Sequence, residues 1–231
     1  MLHWRKVVRI DAGTPSRLNK IKFITNNICI IIGGEKYDRS DILRSEDGGY
    51  TWSDFSSSES QKGIYGISVS PEGHIYVSGI DGGIFMSADS GKTWRFKRIL
   101  DWRFYHAISF PVNDTGIVIN SMALDTCHIS QIDTNCNIID QRTYRFALSD
   151  IYMVSPSTGY LIGYGVVMKT TDYRRTWTYQ NVRKDQFTAM DIHGEEIWMC
   201  GSNGGIFHTT DGGGNWEQLR NGNDITHVQY H

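Results

Sequence analysis

The sequence is short of most features that would place it in a familiar class. Proline is scarce at 4 of 231 residues. There are only four cysteines (Cys29, Cys127, Cys136 and Cys200), and no two sit in a CxxC pair. Neither a zinc knuckle nor a thioredoxin-like motif is therefore supported. Cys127 and Cys136 flank a short polar turn, which leaves two readings open: free thiols or a bond across a hairpin. No charge of one sign prevails: 23 basic against 25 acidic residues give a net charge of −2. A generic nucleic-acid or membrane-surface binder would normally be basic, so neither partner is expected. The longest apolar run, around Ile28–Ile32, is far below the roughly 18 residues of a membrane helix, and no membrane insertion is expected. Charges interrupt the first ten residues, so no signal peptide is read there, and a soluble chain is expected with its compartment left open. No segment keeps a helical period over ten residues. Gly-x-Ser-x-Gly, a P-loop and HExxH are all missing.

What the chain does have is glycine (24 residues), aromatics (12%) and a repeat. An octapeptide recurs as Ser45-Glu-Asp47-Gly-Gly49-Tyr-Thr51-Trp52, Ser87-Ala-Asp89-Ser-Gly91-Lys-Thr93-Trp94, Thr170-Thr-Asp172-Tyr-Arg174-Arg-Thr176-Trp177 and Thr209-Thr-Asp211-Gly-Gly213-Gly-Asn215-Trp216. The aspartates are 42, 83 and 39 residues apart, so the middle gap spans two periods. A decayed copy falls at Ile129–Cys136, which keeps a hydroxyl and Asp133 but has no tryptophan. Each box follows an apolar run, a glycine and a second apolar pair. Further upstream lies an alternating segment: Leu18/Ile21/Phe23, Ile64/Ile67/Val69, Tyr105/Ile108/Phe110, Leu148/Ile151/Met153 and Phe187/Met190/Ile192. Alternation with glycine and asparagine punctuation means strands and hairpins. Each unit thus contains four short strands, A to D, in about 40 residues, and such units build a β-propeller.

The expected fold class is all-β, a single β-propeller domain over residues 1–231. Its four-stranded antiparallel blades lie near 18–60, 61–102, 103–145, 146–184 and 185–222. Partial strands are expected at both termini, a D-like strand at 3–10 and an A-like strand at 225–231. Two closures are open: a piece of a six- or seven-bladed ring, or a small ring with an incomplete closing blade. The first is favoured because an open ring exposes unpaired strand edges. The box belongs on the C–D turn. Its hydroxyl and carboxylate can satisfy turn backbone groups, its glycine permits positive φ, and its tryptophan can cover a neighbouring sheet. These are structural duties, and they are assigned to Ser45, Asp47, Gly49, Trp52, Ser87, Asp89, Gly91, Trp94, Thr170, Asp172, Trp177, Thr209, Asp211, Gly213 and Trp216. With Arg174 at a glycine position, the third box turn is expected to be strained or differently shaped.

Ser/Thr-x-Asp-x-Gly-x-Thr-Trp resembles the Asp-box, or BNR repeat, of bacterial sialidases, sortilin-type receptors, xyloglucanases and photosystem II assembly-factor-like propellers. The segments Thr158–Asp172 and Gly204–Gly213 are most similar to the last group. The resemblance implies the fold over nearly the whole chain, and an assembly, adhesion or recognition role for a protein partner. It does not imply a particular activity, since the same box decorates enzymes and non-enzymes. Similar propellers are often exported.

A binding site is expected on the loops joining D to A and B to C. Each D–A connection has a basic residue before strand A: Arg17, Lys62, Arg103, Arg145 and the pair Arg183 and Lys184. Aromatic neighbours are Trp102, Tyr105, Tyr144 and Tyr164. Arginine with aromatics is the composition of a protein-binding hot spot, and it also suits an acidic glycan. The alternative function is a glycan-binding or glycoside-hydrolysing propeller of sialidase type, although the Arg-Ile-Pro segment of sialidases is missing. A glycosidase needs two carboxyls across a sugar. Glu35, Asp101, Asp150, Asp185 and Asp191 are candidates by number, and the A-strand residues Asp150 and Asp191 are the weak catalytic candidates. No cofactor and no metal are expected. The histidines are spread one to a segment, although His106, His193 and His227 fall on copies of strand A. The chain is expected to be monomeric.

Overall fold

The computed structural model describes residues 17–35, 37–56, 59, 62–100, 102–123 and 125–220. The terminal strands expected at 3–10 and 225–231 lie outside these residues, as do Asp101 and His227. The chain forms two compact units, Met1–Tyr105 and His106–His231.

The first unit holds two blades. Blade 1 comprises β1 (Leu18–Phe23), β2 (Cys29–Gly33), β3 (Asp41–Ser45) and β4 (Ser53–Asp54). Blade 2 comprises β5 (Ile64–Val69), β6 (Ile75–Gly79), β7 (Gly83–Ser87) and β8 (Arg95–Arg98), with one 3-10 turn at Ile80–Gly82 between β6 and β7. The second unit holds three. Blade 3 comprises β9 (Tyr105–Ser109), which begins at the boundary, β10 (Thr115–Ala123), β11 (Thr126–Asp133) and β12 (Ile138–Tyr144). Blade 4 comprises β13 (Leu148–Met153), β14 (Gly159–Gly163), β15 (Val166–Thr170) and β16 (Thr178–Tyr179). Blade 5 comprises β17 (Phe187–His193), β18 (Glu196–Gly201), β19 (Ile206–Thr209) and β20 (Glu217–Arg220). In every blade the four strands lie side by side in chain order, as the repeat predicts. The chain is all-β, built of four-stranded β-propeller blades.

Apolar side chains are buried between blades. In the first unit Ile30, Ile32 and Ile42 of blade 1 meet Ile64, Ile75, Val77 and Phe85 of blade 2. In the second unit Ile117, Ile119 and Ile129 of blade 3 meet Leu148, Leu161 and Met168 of blade 4. Tyr160, Ile162 and Val167 of blade 4 in turn meet Phe187, Met199 and Phe207 of blade 5. The B strands of blades 1, 2 and 4 are buried along their whole length, which is why they read as nearly unbroken runs such as Cys29–Gly33 rather than as alternation. Each fully buried Ile or Phe contributes roughly 1.5–3 kcal/mol relative to exposure.

Strand A carries a repeated irregularity. Its second residue is bulged in blades 1, 2, 4 and 5, between Leu18 and Lys20, Ile64 and Gly66, Leu148 and Asp150, and Phe187 and Ala189. A bulge re-aims one side chain. Two of these side chains use that freedom to reach the next blade: Asn19 donates to Ile64 O (2.8 Å) and Ser149 to Phe187 O (2.5 Å). For the blade 3–4 pair, Ser121 of β10 donates to the equivalent carbonyl, Leu148 O, at 3.1 Å.

The hairpin disulfide left open between Cys127 and Cys136 does not fit the fold. Both thiols are buried and free. Cys127 starts β11 and Cys136 lies in the turn beyond its far end, so most of a strand separates them, about 20 Å at roughly 3.3 Å per residue. Burial pushes the Cys127 thiol up to about 12, which keeps it protonated.

Candidate partner-binding loop face

The box turns occupy one end of each blade. The hydroxyl ends strand C and the tryptophan precedes strand D. In blade 1 Ser45 donates to Asp47 Oδ1 (2.7 Å) and accepts from Gly49 N–H (2.8 Å), while Asp47 accepts from the backbone N–H and the hydroxyl of Thr51 (2.9 and 2.7 Å). Ser87/Asp89/Thr93, Thr170/Asp172/Thr176 and Thr209/Asp211/Asn215 repeat the pattern. The Thr51 backbone and hydroxyl bonds, then Ser45, hold Asp47 down at about 2, and Thr176 does the same for Asp172. The indole N–H of Trp52 closes on Gly49 O and that of Trp94 on Gly91 O. The rings of Trp94, Trp177 and Trp216 each border an inter-blade core.

All four boxes place two successive residues in the left-handed region: Gly48–Gly49, Ser90–Gly91, Tyr173–Arg174 and Gly212–Gly213. Of the two outcomes expected for Arg174, strain holds and altered shape does not: Tyr173 (φ 61°) and Arg174 (φ 70°) follow the common path without glycine. The decayed copy is informative. Asp133 still accepts from the backbone and side chain of Asn137 (2.8 Å each), but Gln131 stands at the hydroxyl position two residues before it, and only Cys136 has positive φ near the turn.

Box turns also join neighbouring blades. Arg44 Nε of blade 1 donates to Ser90 O of the second box at 2.7 Å. Lys169 of blade 4 donates to Gly212 O of the fifth blade's box (2.6 Å), and Tyr160 shares that carbonyl (2.8 Å). Arg44 and Lys169 occupy the same position, one residue before the box hydroxyl. Between blades 3 and 4, Arg142 Nη1 bonds Arg175 O. Arg44 is 3% exposed, ion-pairs with Glu46 and lies over the Phe55 ring. None of these cation latches was visible from spacing alone.

The D–A and B–C loops lie at the opposite end of each blade, and their backbones are stitched together. The residue before strand A accepts from the start of the same blade's B–C turn: Gly34 N to Arg17 O, Ile80 N to Gly63 O, Tyr164 N to Ala147 O and Ser202 N to Gln186 O. Two B–C turns also reach the following D–A loop, that of blade 2 through Gly82 N to Arg103 O (2.7 Å) and that of blade 4 through Gly165 N to Asp185 O (2.8 Å). Any side chain that matters here therefore projects from a fixed loop.

The predicted site residues divide between the units. In the first, Arg17 is exposed, Lys62 lies over the Tyr37 ring (5.4 Å), and Arg103 is half-buried. Trp102 is 85% exposed on a left-handed backbone (φ 59°), pinned where its N–H meets Asp81 Oδ1 (3.0 Å). Asp81 also pairs with Arg98. In the second unit Arg145, Arg183 and Lys184 are exposed, Tyr164 is 46% exposed and Tyr144 is half-buried. Lys184 lies beside Gly165, next to Tyr164, and Arg183 donates to Gln218. Asp185, missed as a loop organiser, is buried and accepts from Gln186 N–H (2.6 Å) and Asn203 N–H (3.2 Å).

Tyr105 must be removed from the binding set. It is 1% exposed, because it opens strand A at the position of Ile64, Leu148 and Phe187, which face the core. Asp150 is buried, with Oδ1 on Ile151 N–H and Oδ2 on the Tyr152 hydroxyl; that hydroxyl also accepts from Met190 N–H. Burial, then the Asp150 charge, pushes Tyr152 well above its ordinary value, so it stays a donor. Asp150 thus sits in a hydrogen-bonded chain between blades 4 and 5. Asp191 is half-buried on β17, and Glu35 lies exposed in a B–C loop. Among the described residues no three potential metal ligands converge, and no helix is long and apolar enough to cross a membrane.

Box turns, sheet order and inter-blade cores together define the class: the chain is an Asp-box (BNR) β-propeller. It resembles photosystem II assembly factors. The family profile described as "Photosynthesis system II assembly factor YCF48" matches residues 132–226, within blades 3 to 5 and just beyond. The photosystem II assembly lipoprotein Ycf48 of Synechococcus sp. (strain CC9902) is 27% identical over 122 residues, which is 48% of this chain. That match spans only 36% of the relative. Among solved structures, YCF48 bound to a D1 peptide superposes with a TM-score of 0.67 at 14% identity, over 94% of this chain and 71% of that one. YCF48 from Cyanidioschyzon merolae gives 0.61 at 17% identity, over 87% and 69%. U3-55K gives 0.65 at 8% identity, over 87% and 63%. At these identities the solved structures attest the fold alone.

Proposed function

We propose that the chain is a non-catalytic recognition scaffold that binds a protein partner at the loop end of its blades, in the manner of an assembly factor. The observation carrying this reading is the set of exposed cations Arg145, Arg183 and Lys184 on loops held by backbone hydrogen bonds, with Lys184 beside Gly165, next to Tyr164. Fixed loops lower the ordering cost of binding, and arginine beside tyrosine suits a peptide bearing carboxylates. The D1 peptide held by the YCF48 structure supports a peptide as the class of ligand. In the first unit, taken by itself, Trp102 and Arg103 offer the same residue chemistry. The acting species is a monomer. The lipoprotein relative supports a role beside a membrane.

The test is fluorescence anisotropy with a labelled D1 peptide. Arg145→Ala/Arg183→Ala/Lys184→Ala weakens binding at least about tenfold, since truncating a hot-spot group typically costs more than about 1 kcal/mol. Added salt weakens the native complex more than the variant complex. Unchanged affinity in a variant that melts normally overturns the reading.

A further inference from the structure

Blade 3 differs from its neighbours at the outer rim. Its D strand, β12, is seven residues long, whereas the other D strands have two to four. β12 ends the sheet, with β11 on one side and no described strand on the other. A long free edge is a template for strand addition, and proteins usually shorten or cover it. Here no strand among the described residues pairs with it, and an apolar group stands at each end. Ile139 is 54% exposed at the start. At the far end Tyr144, Phe146 and Tyr179 form an aromatic ladder with ring centroids 5.3 and 6.0 Å apart, and Tyr179 is 65% exposed. Ile139 to Tyr144 spans about 17 Å of strand, the length of a five- or six-residue extended segment.

The charge beside this edge is uneven. Arg145 and Arg175 are exposed and have no carboxylate within ion-pair distance among the described residues. The nearby acids are already engaged: Asp140 pairs with Arg142 (3.4 Å), and Asp172 is held in its box. An incoming strand would meet two uncompensated guanidinium groups.

We propose that β12 is a second docking surface, where an extended acidic segment of a partner protein adds a fifth strand to blade 3. Its main chain pairs with β12, an apolar or aromatic residue rests on Tyr179 and Phe146, and its carboxylates face Arg145 and Arg175. Tyr144 and Arg145 also belong to the loop-face reading, so the test uses residues outside it.

The probe is a fluorescein-labelled heptapeptide alternating glutamate with valine and tyrosine, titrated against the full chain. The result expected is saturable binding, slower amide exchange across Ile139–Thr143, and affinity reduced about tenfold by Tyr179→Ala and by Ile139→Glu. Both positions are exposed, so folding is spared. Three outcomes overturn the proposal: no binding, binding without protection of β12, or binding equal in both variants. Loss confined to Arg183→Ala/Lys184→Ala assigns the probe to the loop face and likewise overturns it. Failure of D1 peptide capture, by contrast, would leave this result standing.

Discussion

Replacing Thr209 by valine removes one oxygen from the fifth blade's box and almost nothing else. That oxygen donates to Asp211 Oδ1 (2.7 Å) and accepts from the N–H groups of Asp211 (3.3 Å) and Gly213 (3.2 Å), the last of these buried. Valine has the same shape, so no cavity opens and the cost is polar. A buried N–H left without an acceptor costs about 1–3 kcal/mol. The added methyl returns up to about 0.8 kcal/mol of apolar burial. From the middle of that range, about 2 kcal/mol, the net loss is about 1–2 kcal/mol, equivalent to about 2–8 °C in Tm for a chain of this size. Urea unfolding measures it: the midpoint falls and the slope stays constant. Thr209→Ser keeps the oxygen and stays near native, because Ser45 and Ser87 do the same work in blades 1 and 2. Thr178→Val is the surface control: its exposed hydroxyl bonds only Lys169 O, and the change is within about 0.5 kcal/mol. If Thr209→Val is no worse than Thr178→Val, the box hydroxyl does not hold the turn and the architectural account of the motif fails.

A double-mutant cycle tests the blade 4–5 latch. Lys169→Met and Tyr160→Phe each leave Gly212 O one donor and cost below about 1 kcal/mol, whereas the pair leaves a buried carbonyl with neither and costs about 1–3 kcal/mol more than the singles together. Additive effects would show that the shared carbonyl carries no coupling. The box acids predict a pH response. Asp47 and Asp172 titrate near 2 in the fold against 3.8 ordinarily, so their contribution is complete above about pH 4 and is lost as pH falls through 2. The urea midpoint should be flat above that window and drop within it, and Asp47→Asn should flatten part of the drop; an unaltered profile in the variant counts against the hydrogen-bond origin.

The fold was legible because the box repeats chemistry and not merely hydrophobicity. Hydroxyl, carboxylate and indole at fixed offsets demand one turn, and the turn sets the strands around it. Strand A could be read from alternation, and the alignment that found it already held the evidence against Tyr105. Its counterparts Ile64, Leu148 and Phe187 are apolar, and an aromatic at that position is core however basic its neighbours are. What stayed illegible depends on contacts between residues far apart in the chain. Nothing near Arg44 announces Ser90 O, 46 residues away, and nothing near Asp185 announces its hold on Asn203. The Cys127–Cys136 alternative failed because β11 runs from Thr126 to Asp133, so the two cysteines lie toward opposite ends of one strand rather than across a hairpin.

The latches put the joint between leaves out of phase with the periodicity of the text. Arg44 and Lys169 are written just ahead of one signature, while the oxygens they grip, Ser90 O and Gly212 O, are written inside the following one. A cassette excised from strand A to strand D therefore carries a donor looking forward and an acceptor looking back, with neither satisfied on its own. Copies set in tandem mate at these seams, whereas a lone copy, or one inserted beside a degenerate neighbour, leaves the forward donor without its carbonyl, and Arg44 keeps only Glu46 and Phe55 of its own blade. Lengthening or shuffling this array should tolerate only seams at which both halves survive.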